Sequence, residues 1–273
     1  MNNTKLSFYT LIAYDYKYSI SSILSYYDIA DEIILAYDKD FKTWTGNSFT
    51  IDQSFFDYIK KIDVDNKIKF YSDSFYLSKN NPLWNDSNER NRISIQCKPE
   101  NYIIGIDSDE IVLNANEFKK WFGALIDLKN SSMTSSIKTV FKTFGKDVLI
   151  IEPTETTNVG TSFRVQYRKS RNLNQGLRNV KVINSPMKIL HYSWGRTLEE
   201  IKQKLNNWGH NKDFNLEKYI NFWQSVNLEN FLSFKNFHPL RIKHCWASLR
   251  LIDLKQYDLK EEILKEIERW EIV

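Results

Sequence analysis

The chain has 273 residues, a net charge of +4, and 42% hydrophobic against 26% charged residues, a balance ordinary for a globular protein. That length suits one large α/β domain, alone or with an appended subdomain. The Lys and Arg excess forms no block in the first half, which excludes a nucleic-acid-binding patch there, and no apolar run approaches the roughly 20 residues needed to cross a bilayer.

Residues 6–13 are apolar and end in polar residues, the pattern of a buried strand. Residues 18–27 carry Ile20, Ile23, Leu24 and Tyr27 at helical spacing, and residues 32–37 are a second buried strand closed by Asp38-Lys39-Asp40. Thr50-Ile51-Asp52-Gln53 has the form of a capping box, opening a helix through Phe56 and Ile59. A short strand at 68–71 precedes a helix starting at Asp86 and running to Cys97. Residues 101–106 form a strand that ends at Asp107, and Asn114 opens a helix carrying Phe118, Trp121, Phe122 and Leu125. Such alternation predicts parallel strands joined by crossover helices.

Beyond residue 129 the pattern changes. Segments 135–144, 148–151, 162–167 and 187–192 read as strands without long helices between them, which predicts a mixed extension of the sheet. Thr197-Leu198-Glu199-Glu200 is a second capping box, whose helix presents Ile201, Leu205 and Trp208 and stops at Gly209. The remainder, from Leu216 and including an amphipathic stretch at 258–270, reads as helical. The expected architecture is a mixed, mainly parallel sheet flanked by helices over 1–195, with a helical extension over 196–273. The aromatic residues, 8 Trp, 15 Tyr and 17 Phe, are expected mostly in the core. Cys97 and Cys245 are far apart without metal-ligand spacing, which speaks against a disulfide framework and for a reducing compartment. With no signal-peptide pattern at the start, the expectation is a soluble, cytoplasmic protein. Arg241, Lys243, His244, Trp246 and Arg250 near its end could rest on an anionic membrane surface.

The chemistry concentrates in Ile103-Ile104-Gly105-Ile106-Asp107-Ser108-Asp109-Glu110, where an apolar strand delivers three carboxylates at its carboxyl end. In open α/β sheets ligands bind at that edge. Adjacent carboxylates repel unless a cation lies between them, and hard divalent ions take oxygen ligands and often share them with substrate phosphates.

The segments SISSILSYYDIADEIILAYDKD (19–40) and NERNRISIQCKPENYIIGIDSDEIV (88–112) resemble, in order, the nucleotide-binding half of family-2-type glycosyltransferases with the GT-A fold, over about residues 5–125. ILHYSWGRTLEEIKQKLNNWGH (189–210) is similar to a later segment of bacterial members. The resemblance implies transfer of a sugar from a nucleotide-sugar, UDP-linked, to a glycan, lipid or protein acceptor with Mn2+ or Mg2+. It implies that Thr10, Leu11 and Ala13 adjoin the base, that Tyr14 stacks on it, and that Asp38 contacts base or ribose. Arg90 would approach the diphosphate, with Asn91 and Arg92 in support. Asp107 and Ser108 would face the ribose or the metal's water shell, with Asp107 also a candidate metal ligand, and Asp109 and His191 would bind the metal. Glu152 and, ranked below it, Glu155 are the candidate bases for the acceptor hydroxyl. Where the family has Asn-Glu and Gly-Ser steps, this chain has Tyr14-Asp15-Tyr16-Lys17 and Lys39-Asp40. The stretch from Leu11 to Lys17 holds no glycine, against a nucleotidyltransferase or dehydrogenase phosphate loop. The rival from another class is a non-catalytic protein that keeps the fold and binds carbohydrate or nucleotide.

Overall fold

The structure is a computed structural model describing residues 4–145, 147–164, 167–173, 179–207, 213–240, 242, 245–257 and 259–271. Strands β1 (Leu6–Leu11), β2 (Glu32–Asp38), β3 (Ile68–Asp73) and β4 (Tyr102–Gly105) lie in the order β3-β2-β1-β4, all parallel. Their residues split by the period of two that a pleated strand imposes. Phe8, Ile33, Leu35 and Ile104 pack into one core, while Tyr9, Ile34, Ala36 and Ile103 pack into another on the opposite face. Both faces of β1, β2 and β4 are therefore buried, which is why β2 and β4 are mostly apolar runs rather than alternating ones, while β3 at the edge of the sheet stays partly exposed.

Helices α1 (Ser19–Tyr26), α2 (Gln53–Ile62) and α3 (Pro82–Gln96) cross over between those strands. Helix α3 begins four residues before the expected Asp86, because Asn81 caps it by accepting from the Leu83 N–H at 2.9 Å and Pro82 occupies the first turn. The Thr50 capping box does not form: α2 starts at Gln53 behind Asp52, with no side-chain cap.

The acidic turn leads into β5 (Glu110–Val112) and α4 (Ala115–Gly123), and then β6 (Ser131–Phe144), β7 (Asp147–Glu152) and β8 (Glu155–Thr161) extend the sheet. Strand β8 runs antiparallel between β4 and β6, and β7 is antiparallel to β6. The expected strand at 162–167 is thus replaced by one seven residues earlier, where Thr and Val residues fit a ladder whose two neighbours the sequence does not reveal. Val165 and Gln166 lie outside the described residues. A hairpin of β9 (Tyr167–Lys169) and β10 (Asn172–Leu173) follows, and β11 (Lys181–His191) pairs with β6 in parallel and with β5 antiparallel. These elements make a Rossmann-like α/β fold, a mixed central sheet flanked by helices.

The stretch after residue 196 contains α5 (Leu198–Asn207), α6 (Leu216–Ser225) and α7 (Glu261–Glu271), but it is not helical throughout. Strand β12 (Ser248–Asp253) pairs antiparallel with β7 and closes that edge of the sheet. Six residues containing Leu249 and Ile252 suit either period; the open edge of β7 decides for the strand. The Thr197 capping box does form, with the Thr197 N–H donating to Glu200 at 3.0 Å and the Glu200 N–H donating back at 3.3 Å. Its predicted continuation through Trp208, Gly209 and His210 lies outside the described residues, as do Arg241, Lys243 and His244. Aromatic side chains hold this region on the sheet: Trp223 donates to the Phe141 carbonyl at 2.9 Å, and Lys142 donates to three carbonyls at the end of α6, those of Trp223, Gln224 and Val226. No helix among the described residues is long and apolar enough to cross a membrane.

Candidate functional site

Because β1, β2 and β4 are parallel, their carboxyl ends and the loops after them open on one side of the sheet. There they border a cavity of about 530 Å3, within the range of small-molecule sites. Gly105 brings the chain into that edge: a Cβ at this position would lie 2.4 Å from the buried Tyr9 ring, so a side chain there would displace Tyr9.

Two networks of opposite charge hold the acidic turn. Asp107 sits between two guanidiniums, with Arg171 2.8 Å from Oδ2 and Arg90 3.1 Å from Oδ1. Arg90 Nη2 also donates to Oδ2 at 3.3 Å, while the buried Nη1 and Oδ1 atoms face each other as an ion pair without a hydrogen bond. Burial opposes ionisation of Asp107, but Arg171 and Arg90 override it and hold the carboxyl well below the usual carboxylate range. Arg90 is aimed by Asp86, one turn earlier on α3, at 2.6 Å. Arg171 also reaches Glu110 at 2.7 Å, and Glu110 accepts from the Asp107 N–H at 3.0 Å.

Asp109 has its own set of partners. Arg196 lies 2.5 Å and Lys204 3.5 Å from Oδ2, while His191 Nε2 is 3.3 Å from Oδ1. Burial again opposes the charge, and His191, Lys204 and Arg196 together depress the Asp109 pKa. Arg196 also pairs with Asp15 at 2.9 Å and stacks over the Tyr18 ring, so Asp15 ties the loop after β1 to the acidic turn. Burial lowers the Lys204 pKa while Asp109 pulls it back up. Across the cavity, Trp44 donates to Glu89 at 2.6 Å, and burial raises the Glu89 carboxyl to about 8.

Leu11, Ala13, Tyr14, Arg90, Ser108 and His191 line the cavity, as do Asp38, Asp107, Asp109 and Glu155. Thr10 does not. It is fully buried, donating to the Ile106 carbonyl at 2.8 Å and bonding Tyr26 at 2.7 Å, because strand alternation turns it away from the ligand side. Asp38 reaches the cavity wall with a carboxylate that already accepts from four backbone N–H groups, those of Asp40, Lys42, Phe75 and Tyr76. It knots the loops after β2 and β3. Of the two candidate bases, Glu152 is not among the cavity residues and pairs with Arg250 at 2.7 Å, whereas Glu155 accepts from the Trp246 indole at 3.2 Å inside the cavity. Asn91 clamps Tyr167 of the hairpin through two bonds of 2.7 Å, and Arg92 pairs with Asp73.

Sequence reasoning missed Arg171, Lys204, Glu89 and Trp44. Arg171 comes from a hairpin turn whose anchor to α3 is tertiary, and Lys204 is an ordinary helix lysine until α5 docks. No local signal marks either one.

For a divalent ion, both Asp107 oxygens already face guanidiniums. Asp109 Oδ1 and His191 Nε2 suit it better: they lie 3.3 Å apart, near enough to share one cation, and Asp109 Oδ1 is the oxygen that Arg196 and Lys204 leave clear. No group of three His, Cys, Asp or Glu residues among those described is arranged to hold a metal. Two protein ligands fit a Mg2+-like site that draws its remaining oxygens from substrate phosphate and water.

Fold and site thus define a Rossmann-like α/β protein with a charged cavity at the carboxyl edge of its parallel strands. No protein-family model matches the sequence, and comparison with curated proteins gives no match. Among solved structures, the chain is similar to mannose-6-phosphate isomerase from Helicobacter pylori at 15% identity and a TM-score of 0.32. That match covers 53% of this chain, which spans 58% of the isomerase.

Proposed function

We propose that this protein is a glycosyltransferase of GT-A type, moving a sugar from a UDP-linked donor to the hydroxyl of a glycan, lipid-linked or protein acceptor. The observation that carries this reading is the acidic turn at the carboxyl edge of the parallel strands, bordering a cavity and matched by four cationic side chains, Arg90, Arg171, Arg196 and Lys204. The strand order β3-β2-β1-β4 followed by antiparallel β8 and the resemblance of residues 19–40 and 88–112 support it.

In this reading the base and ribose lie against Leu11, Ala13 and Tyr14. Asp107, held ionised by its guanidiniums, stands beside the ribose at the cavity wall. Arg90 and Lys204 face the diphosphate, where charge grows as the glycosidic bond breaks; fixed cations placed before reaction stabilise that charge without reorganisation. Asp109 and His191 would hold Mn2+ or Mg2+, which neutralises charge on the departing diphosphate when bound. Glu155 takes the proton of the attacking hydroxyl, and the Trp246 indole holds its carboxylate in position.

Thermal melting with UDP, with and without Mn2+, tests the donor site: stabilisation that requires both supports the reading. UDP release on adding acceptor then separates catalysis from binding. A melt unmoved by UDP under either condition would overturn the proposal.

A further inference from the structure

Beside the cavity runs an open groove lined by Asn81, Leu83, Trp84, Arg168, Lys169 and Asn172. Leu83, Lys169 and Asn172 border both, so the two spaces are continuous. Of the described tryptophans Trp84 alone is exposed, at 61%, although this residue type ordinarily buries most of its surface. Helix α3 presents it on the first turn after the Asn81 cap. Facing it, the β9–β10 hairpin holds out Arg168 and Lys169, both exposed, and neither pairs with a carboxylate among the described residues. The hairpin is not loose: Asn91 bonds Tyr167 twice, the Ser170 N–H donates to Ser87 at 2.8 Å, and Arg171 is anchored in the acidic turn. The groove therefore has an anchored wall on each side, an aromatic face, two cations and, among the described residues, no acid.

We propose that this groove is an acceptor subsite for an anionic saccharide, a reading that rests on the glycosyl transfer proposed above. The apolar face of a pyranose ring stacks on the Trp84 indole, which offers a large contact with two torsions to fix. A carboxylate or phosphate on the same chain meets the Arg168 guanidinium, whose planar fork matches either group, and the Lys169 ammonium. The end of the saccharide passes Leu83 and Asn172 into the cavity.

The test is calorimetric titration of the full chain with four probes: a hexasaccharide alternating glucuronate and N-acetylhexosamine, a phosphorylated mannose oligosaccharide, neutral chitohexaose, and a single-stranded DNA oligomer of matched charge. An anionic saccharide is expected to bind at least roughly tenfold more tightly than chitohexaose, about 1.4 kcal/mol, and the two anionic arms distinguish carboxylate from phosphate. Arg168→Glu is expected to remove that preference and Trp84→Ala to weaken the neutral and anionic saccharides alike, and both sites are exposed enough for the variants to fold. Equal affinity for neutral and anionic saccharides, preference for the DNA, or affinities indifferent to both substitutions would overturn the subsite. UDP affinity measured on the same samples keeps the two proposals apart. Saccharide binding without UDP binding removes the transferase reading, and UDP binding without saccharide binding removes the groove alone.

Discussion

The indole N–H of Trp44 donates to the carboxyl of Glu89 at 2.6 Å, joining the loop after β2 to the middle of α3. Asn85 of the same helix donates to the Trp44 carbonyl at 3.0 Å, and Asn207 at the end of α5 accepts from Thr45 and Asn47. One wall of the cavity is therefore a loop stitched to two helices, with a carboxyl group of unusual acidity in the seam. Burial raises the Glu89 pKa from 4.5 to about 8.

A raised folded-state pKa means that the native protein holds this proton where the unfolded chain has released it. The resulting stability is fully present below pH 4.5 and is lost as the pH climbs through about 8. The loss is on the order of 1 kcal/mol per pH unit across that window. Glu89→Gln keeps a neutral acceptor for Trp44 and has no proton to lose. Melting temperatures measured from pH 5 to 9 should show the variant gaining on the native chain as pH rises. Parallel curves for the two proteins would contradict this assignment.

Asp109→Asn should be costly in two separable ways. It leaves Arg196 and Lys204 buried beside a neutral amide, and breaking a buried pair from one side costs about 3–5 kcal/mol. It also removes the proposed metal ligand, so the Mn2+-dependent part of UDP stabilisation should vanish at a temperature where the variant is still folded. Retention of the Mn2+ effect would assign the ion elsewhere.

Lys204→Met preserves the aliphatic stem and removes the charge facing the diphosphate. UDP affinity should fall roughly tenfold, or about 1.4 kcal/mol, and its dependence on ionic strength should weaken. Uridine, which lacks the phosphates, should bind both proteins alike. Equal loss of UDP and uridine binding would mean that the lysine shapes the cavity instead of contacting phosphate.

Glu155→Gln should lower the rate of transfer by about 100- to 10,000-fold, the range for loss of a general base, with UDP affinity retained. Glu152→Gln, whose carboxylate pairs with Arg250 outside the cavity, should transfer at the native rate. The reverse outcome for this pair would return the base to the position that sequence order favoured.

Much of the parallel half was legible because its strands are buried on both faces. Residues 32–37 and 101–106 could be little else than internal strands, and an acidic cluster directly after one of them marks the ligand edge. Asp107 and Asp109 stand out on that logic, whereas Arg90 and His191 are expected there from the family resemblance alone; all four meet around the same turn. Thr10, expected beside the base, is turned into the core by strand alternation, and Asp38, expected on base or ribose, lines the cavity while its carboxylate ties two loops.

The amino-acid order by itself determined which strands are internal and where carboxylates accumulate, since apolar periodicity and the polar stop after a strand are local properties. Only the tertiary structure decided what neutralises those carboxylates. Arg171 arrives from a hairpin 61 residues past Glu110, and Arg196 lies 87 residues beyond Asp109. A lysine or arginine has the same local signature in solvent as against a buried acid, so packing alone distinguishes the two.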